Sequence, residues 1–108
     1  MEEEVYLTIL YDYYGALLTE KQRLYFTYYY FDNLSLQEIK ENLDVSRNAI
    51  HKELKIIKDK LYNYEEKLKL YDRDKKILKV VDSIDDITIR EKIKNIFNYR
   101  SNLWKKVL

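Results

Sequence analysis

The chain has 108 residues, 46% hydrophobic and 36% charged, enough for one compact core, and its 20 basic and 19 acidic side chains leave a formal charge of +1. The absence of cysteine excludes disulfides, thiolate metal sites and a cysteine nucleophile. With no proline and a single glycine, the sequence lacks the turn punctuation of β-sandwiches and flexible linkers, so it predicts an all-α fold, one helical domain over residues 1–108.

The start, Met1-Glu2-Glu3-Glu4, is the opposite of a basic signal-peptide start, and no apolar run approaches the roughly 20 residues that cross a bilayer. A cytoplasmic location without membrane insertion is expected. From Glu3 to Tyr14, the residues Val5, Tyr6, Ile9, Leu10, Tyr13 and Tyr14 recur at steps of three and four, the spacing of an amphipathic helix. Gly15 follows directly and is expected to end that helix in the positive-φ conformation that other residues resist. Thr19 and Gln22 then form a capping box ahead of residues 24–31, a run apolar or aromatic on every side. Such a helix belongs at the centre of a bundle or in an interface.

Asp32-Asn33 makes a turn, and Ser35 with Glu38 gives a second capping box, opening a short helix to about Asn42. Leu43-Asp44-Val45 leads to Ser46, an N-cap for the next helix. There Ile50, Leu54, Ile57, Leu61, Tyr64 and Leu68 alternate steps of four and three, a heptad seam. Running unbroken to Leu70, this helix would be about 37 Å long, so its distal half needs cover from elsewhere. The C-terminal elements would supply it: Asp72 or Asp74 capping a helix with Ile77, Leu78, Val81 and Ile84, then a last helix opened by Asp85-Asp86 and carrying Ile89, Ile93, Ile96, Phe97, Leu103 and Trp104. The prediction is about six helices: residues 19–70 a helix-turn-helix core with an extended second helix, and 71–108 a C-terminal helical extension.

Charge is unevenly spread. Residues 1–20 carry five acids and no Lys or Arg, whereas 46–60 are +3 and 61–108 are +4. An acidic end and a basic remainder suit self-association or a local anionic partner. In a helix-turn-helix the first helix crosses the backbone and the early turns of the second enter a major groove, which places Ser46, Arg47, Asn48, His51, Lys52, Lys55 and Lys58 as candidate nucleic-acid contacts. Arg47 could reach guanine and Asn48 adenine, while Lys52, Lys55 and Lys58 suit phosphates. Two capped helices at an angle with a solvated lysine face are also ordinary bundle architecture, and Glu53 and Asp59 interrupt the patch. The twelve tyrosines could form a base-stacking platform, but Tyr6, Tyr13, Tyr28, Tyr62 and Tyr64 fall on or beside apolar stripes and are expected to pack.

His51 is the only histidine, and there is no glycine-rich phosphate loop or Gly-x-Ser-x-Gly elbow, so the reading is a non-enzymatic protein without metal or cofactor.

The stretches Tyr29-Tyr30-Phe31-Asp32-Asn33-Leu34-Ser35-Leu36-Gln37-Glu38-Ile39, Val45-Ser46-Arg47-Asn48-Ala49-Ile50 and Tyr64-Glu65-Glu66-Lys67-Leu68 resemble the YlxM family of small bacterial proteins. The likeness covers the first two thirds of the chain well; from Tyr71 onward only length and helical character match. The resemblance implies a helix-turn-helix like region 4 of bacterial sigma factors, in the winged-helix-like DNA-binding superfamily, and a place in the signal recognition particle pathway, which gene neighbourhood assigns to the family. Two departures stand out. Lys40 replaces the family's usual alanine where the two helices approach, and Asn48, Ile50 and His51 alter its common Ser-Arg-Gln-Ala-Val-Tyr. Ser46 and Arg47 carry over, but base specificity does not.

The expected function is therefore that of an accessory or regulatory binding protein of that pathway. Its partners would be the particle's RNA, its GTPase or the receptor. A DNA-binding transcriptional regulator is the alternative and a purely structural homo-oligomer a third. The aromatic second helix and the seam ending at Leu68 predict a homodimer or higher oligomer.

Overall fold

The computed structural model describes the backbone of residues 1–107 and the side chains of residues 1–97. Six α-helices, with no strand among the described residues, follow in order: α1 Glu3–Tyr14, α2 Glu20–Phe26, α3 Leu36–Leu43, α4 Arg47–Leu68, α5 Leu70–Val81 and α6 Ile87–Val107. α4 is the axis of the molecule, with α1, α2 and α3 all packed against it, while α6 lies against α1 and α5. The result is elongated, 54 × 26 × 23 Å. Among the described residues no helix is long and apolar enough to cross a membrane.

Local chemistry sets most of the boundaries. Thr19 Oγ1 accepts from the Gln22 amide at 3.1 Å while Gln22 Oε1 accepts from the Thr19 amide at 3.0 Å, and Ser35 and Glu38 repeat the device at 3.1 Å in both directions. Ser46 Oγ accepts from the Ala49 amide at 3.0 Å, and Asp86 Oδ1 from the Ile89 amide at 3.1 Å. Each bond satisfies an amide that the first turn of a helix leaves without an internal partner. Asn33 and Asp44 take positive φ, 54° and 52°, closing the turns before and after α3.

The core gathers Leu7, Leu10, Tyr11 and Tyr14 of α1, Tyr25 and Phe26 of α2, Ile39 of α3, and Ile50, Leu54, Ile57 and Leu61 of α4. Tyr11 stacks on Phe26 at 4.2 Å and Phe26 on Tyr30 at 4.4 Å. Tyr6, Tyr13, Tyr28, Tyr62 and Tyr64 pack half-buried around this core, as their stripe positions predict.

Five details differ from the sequence reading. Gly15 has φ −55°, not a positive value; the chain tightens into a short 3₁₀ turn, Gly15–Leu17. A Cβ at Gly15 would lie 3.1 Å from the Tyr11 ring, so close approach is what the glycine permits. The aromatic run does not stay α-helical: Thr27–Phe31 is a π turn, with the Asp32 amide bonded to the Thr27 carbonyl at 2.9 Å. Tyr28, Tyr29 and Tyr30 are thereby left half-buried, and Phe31 exposed.

The remaining three lie at the α4–α5 junction. The helix ends at Leu68 rather than Leu70, because Lys69 adopts the left-handed conformation at φ 53° and α5 starts on the next residue. The heptad seam also does not persist to its end: after Leu61 the buried position is Glu65, four residues on, while Tyr64 is half-buried and Leu68, the last residue of the helix, is exposed. Neither Asp72 nor Asp74 caps α5. Glu65 does so instead, its Oε1 accepting from the Tyr71 amide and its Oε2 from the Asp72 amide, both at 3.1 Å. The Tyr14 hydroxyl donates to Glu65 Oε1 at 2.6 Å and accepts from the Leu70 amide at 3.1 Å. Asp74, buried, accepts from the Tyr13 hydroxyl at 2.7 Å. Two tyrosines of α1 thus anchor the start of α5 through two buried carboxylates. Leu103 and Trp104, expected in the apolar stripe of α6, lie outside the residues whose side chains are described.

Candidate nucleic-acid interface

Ile39, fully buried, holds α3 against α4, with Leu36 and Leu43 packed half-buried beside it. Lys40 points away from this contact and is exposed, so it does not disturb the packing that alanine usually serves in the family it resembles. Asp44, Val45 and Ser46 form the connection. Val45 packs onto the core, Ser46 caps α4, and Ile50, Leu54 and Ile57 bury one side of its first three turns. A short capped helix, a three-residue connection and a long second helix therefore form a helix-turn-helix whose second helix turns its other side to solvent.

On that side Arg47, Asn48, His51, Lys52 and Lys55 are all exposed. At 3.6 residues per turn they cover about 140° of the helix surface, from the edge of the buried stripe at Arg47 round to its far side at Lys52. Arg47, Lys52 and Lys55 have no ion-pair partner among the described residues. α1, α2, α3 and α5 each begin with an acidic residue in the first turn; α4 has none. The positive end of its dipole is therefore not neutralised from within the helix.

Lys58 does not join this face. Its ammonium lies 3.3 Å from Glu3 Oε1 and its side chain is only partly exposed, because α1 packs alongside the middle of α4. Ser46 is exposed, but its hydroxyl is engaged as the cap. Glu53, expected to interrupt the patch, is turned toward α2, where its Oε1 accepts from Gln22 Nε2 at 3.0 Å. Asp59 is exposed and stays on the solvent side.

Gln22 carries more than its capping role indicates. It is buried, and its Oε1 also accepts from Lys60 Nζ at 3.2 Å, so one side chain ties α2 to both Glu53 and Lys60 of α4. These partners lie 31 and 38 residues away, and no local spacing announces them. The only sign in the sequence is an amide in a capping box directly before an apolar helix.

Known proteins share this arrangement's sequence. The sequence model of UPF0122, described as "Putative helix-turn-helix protein, YlxM / p13 like", matches residues 1–99. The chain belongs to the UPF0122 family. A UPF0122 protein of Caldanaerobacter subterraneus subsp. tengcongensis is 45% identical over 87 residues, 80% of this chain and 74% of the relative. One from Geobacillus sp. strain WCH70 is 36% identical over 91 residues, 84% and 83% of the two chains. One from Shouchella clausii is 42% identical over 73 residues, 68% and 67%. The family's helix-turn-helix description accords with the helix-turn-helix form of α3 and α4.

Proposed function

We propose that this UPF0122 protein is a non-enzymatic binding protein that grips nucleic acid through the solvent face of α4, with the signal recognition particle RNA as its anionic partner and an accessory role in that pathway. The observation that carries the binding role is the exposed set Arg47, Asn48, His51, Lys52 and Lys55 on a helix start free of acid. Arg47, Lys52 and Lys55 are the phosphate contacts, and Asn48 and His51 are placed to meet base edges or riboses. The pathway rests on the resemblance to the YlxM family.

A second reading, a DNA-binding transcriptional regulator, is favoured by one feature. The early turns of α4 protrude as a helix that suits the wide major groove of B-DNA, whereas the major groove of A-form RNA is too narrow to admit it. RNA would then be held along its phosphates or at loops.

Ile77 and Val80 of α5 and Ile89 and Ile96 of α6 remain exposed, apolar side chains whose cover by a second copy supports a homodimer. Sedimentation at micromolar concentration then gives a species heavier than one chain.

Titrating labelled signal recognition particle RNA and a random DNA duplex of equal charge against the protein, at low and physiological salt, tests the partner. RNA-selective binding that survives physiological salt supports the proposal, and preference for the duplex supports the regulator. Binding to neither removes nucleic acid and leaves the particle's GTPase or its receptor as partner.

A further inference from the structure

A groove of about 480 Å³ opens between the start of α1, the π turn and the start of α3. Its walls carry Glu4 and Thr8 of α1, Tyr29 and Tyr30 of the π turn, and Glu38 of α3. No Lys or Arg lines it, and neither carboxylate meets a cation among the described residues. Glu38 spends one oxygen on the Ser35 amide, which leaves the other available. The two tyrosine rings are fixed: they meet edge-on at 4.9 Å, and Tyr30 is stacked on buried Phe26.

Glu2, Glu3 and Glu4 gather at the start of α1 beside the groove, where Lys58 pairs with Glu3. The Tyr30 hydroxyl reports the field of these acids. Burial first, then the neighbouring Tyr29, Glu3 and Glu4, push it up to about 12. Carboxylates on opposite walls with aromatic faces between them are the chemistry that receives a guanidinium or ammonium group, by charge-assisted hydrogen bonds and by the attraction of a cation to a ring face.

We propose that the groove formed by Glu4, Tyr29, Tyr30 and Glu38 is a docking site for an arginine- or lysine-bearing segment of a partner protein. Charge complementarity selects this occupant: nucleic acid is repelled here, and an uncharged peptide would leave the carboxylates unpaired. The site goes beyond the nucleic-acid reading and does not depend on it. Where both hold, the protein joins a polyanion on α4 to a basic protein segment in the groove.

The test is a fluorescence-anisotropy titration of a labelled peptide of alternating Arg and Gly against the full chain, with the Glu-for-Arg peptide as control. Glu4→Gln combined with Glu38→Gln removes both charges, and the side-chain amide oxygen introduced by the second change still accepts from the Ser35 backbone, so the helices persist. Tyr29→Leu removes a ring that is only half-buried. Each is expected to weaken the arginine peptide at least fivefold, whereas Glu20→Gln with Glu66→Gln, an equal charge change at exposed positions outside the groove, leaves it unchanged. Equal weakening by both double variants would mean bulk attraction and overturn the proposal, as would unchanged affinity in the groove variant. Salt-sensitive self-association that the groove variant abolishes, without peptide binding in the parent protein, would assign the groove to a second copy and overturn it as well.

Discussion

Replacing Glu65 with alanine should be among the most damaging single changes in the chain, because one buried carboxylate holds both α1 and the first turn of α5. Its two oxygens accept from the Tyr14 hydroxyl and from two backbone amides, and only 9% of the residue is exposed. Losing the cap on two amides costs about 1–2 kcal/mol, and stranding a buried phenol that had donated to a charged acceptor costs about 1.5–3 kcal/mol. The sum, about 2.5–5 kcal/mol, is a large part of the roughly 5–15 kcal/mol that stabilises a domain of this size. Tyr14→Phe keeps the ring in place but leaves the Leu70 amide without its acceptor and Glu65 with one donor fewer, for about 1–2 kcal/mol. Because the two side chains share one hydrogen bond, the double variant should cost less than the sum of the singles, with a coupling of at least about 0.5 kcal/mol. Urea unfolding followed by helical circular dichroism gives the energies, and amide hydrogen exchange at Leu70, Tyr71 and Asp72 should accelerate locally in both variants. A Glu65→Ala cost below about 1 kcal/mol with unchanged exchange at those amides would refute Glu65 as the anchor of α5.

Other consequences follow from single contacts. Gly15→Ala should destabilise by about 1 kcal/mol: the backbone there is ordinary helix, but the new methyl would press on Tyr11, whose stacked ring cannot retreat, and a gain in melting temperature would contradict this. Ser46→Ala should cost about 1 kcal/mol and fray the first turn of α4, measured as faster exchange at the Ala49 amide. The phenols of Tyr14 and Tyr30 are both pushed up to about 12 from an ordinary 10.0, chiefly by burial. The folded state therefore prefers them neutral: that contribution is complete below pH 10 and is lost as pH rises toward 12. Phenolate absorbance and helicity should accordingly change together at alkaline pH, and independent transitions would argue against the buried setting of these hydroxyls.

What the sequence makes legible is local. The capping boxes at Thr19 and Ser35 and the caps at Ser46 and Asp86 are spelled within four residues, and they mark the starts of α2, α3, α4 and α6. The exposed face from Arg47 to Lys55 is equally readable, since it is the complement of the stripe Ile50, Leu54 and Ile57. The interactions that decide the rest act over long separations. Glu65 meets Tyr14 across 51 residues, Asp74 meets Tyr13 across 61, and Lys58 meets Glu3 across 55. The spacing alone favours Tyr64 and Leu68, whereas the Tyr14 hydroxyl and the Tyr71 and Asp72 amides, supplied by other elements, are what draw Glu65 inward. The left-handed turn at Lys69 has no glycine or asparagine to announce it; the Tyr14–Glu65 cap holds it from outside. The groove at Glu4, Tyr29, Tyr30 and Glu38 is hidden for a similar reason, its walls coming from three separate elements.

The central claim, that the early turns of α4 neutralise phosphates, is tested most directly by the salt dependence of nucleic-acid binding in the parent protein and in an Arg47→Ala, Lys52→Ala variant. If Arg47, Lys52 and Lys55 each neutralise one phosphate of a duplex, the logarithm of affinity falls against the logarithm of salt with a slope of about −2.7, and the double variant, with circular dichroism unchanged, gives about −0.9. Equal slopes and equal affinities in the two proteins would contradict the account and move the binding surface away from α4.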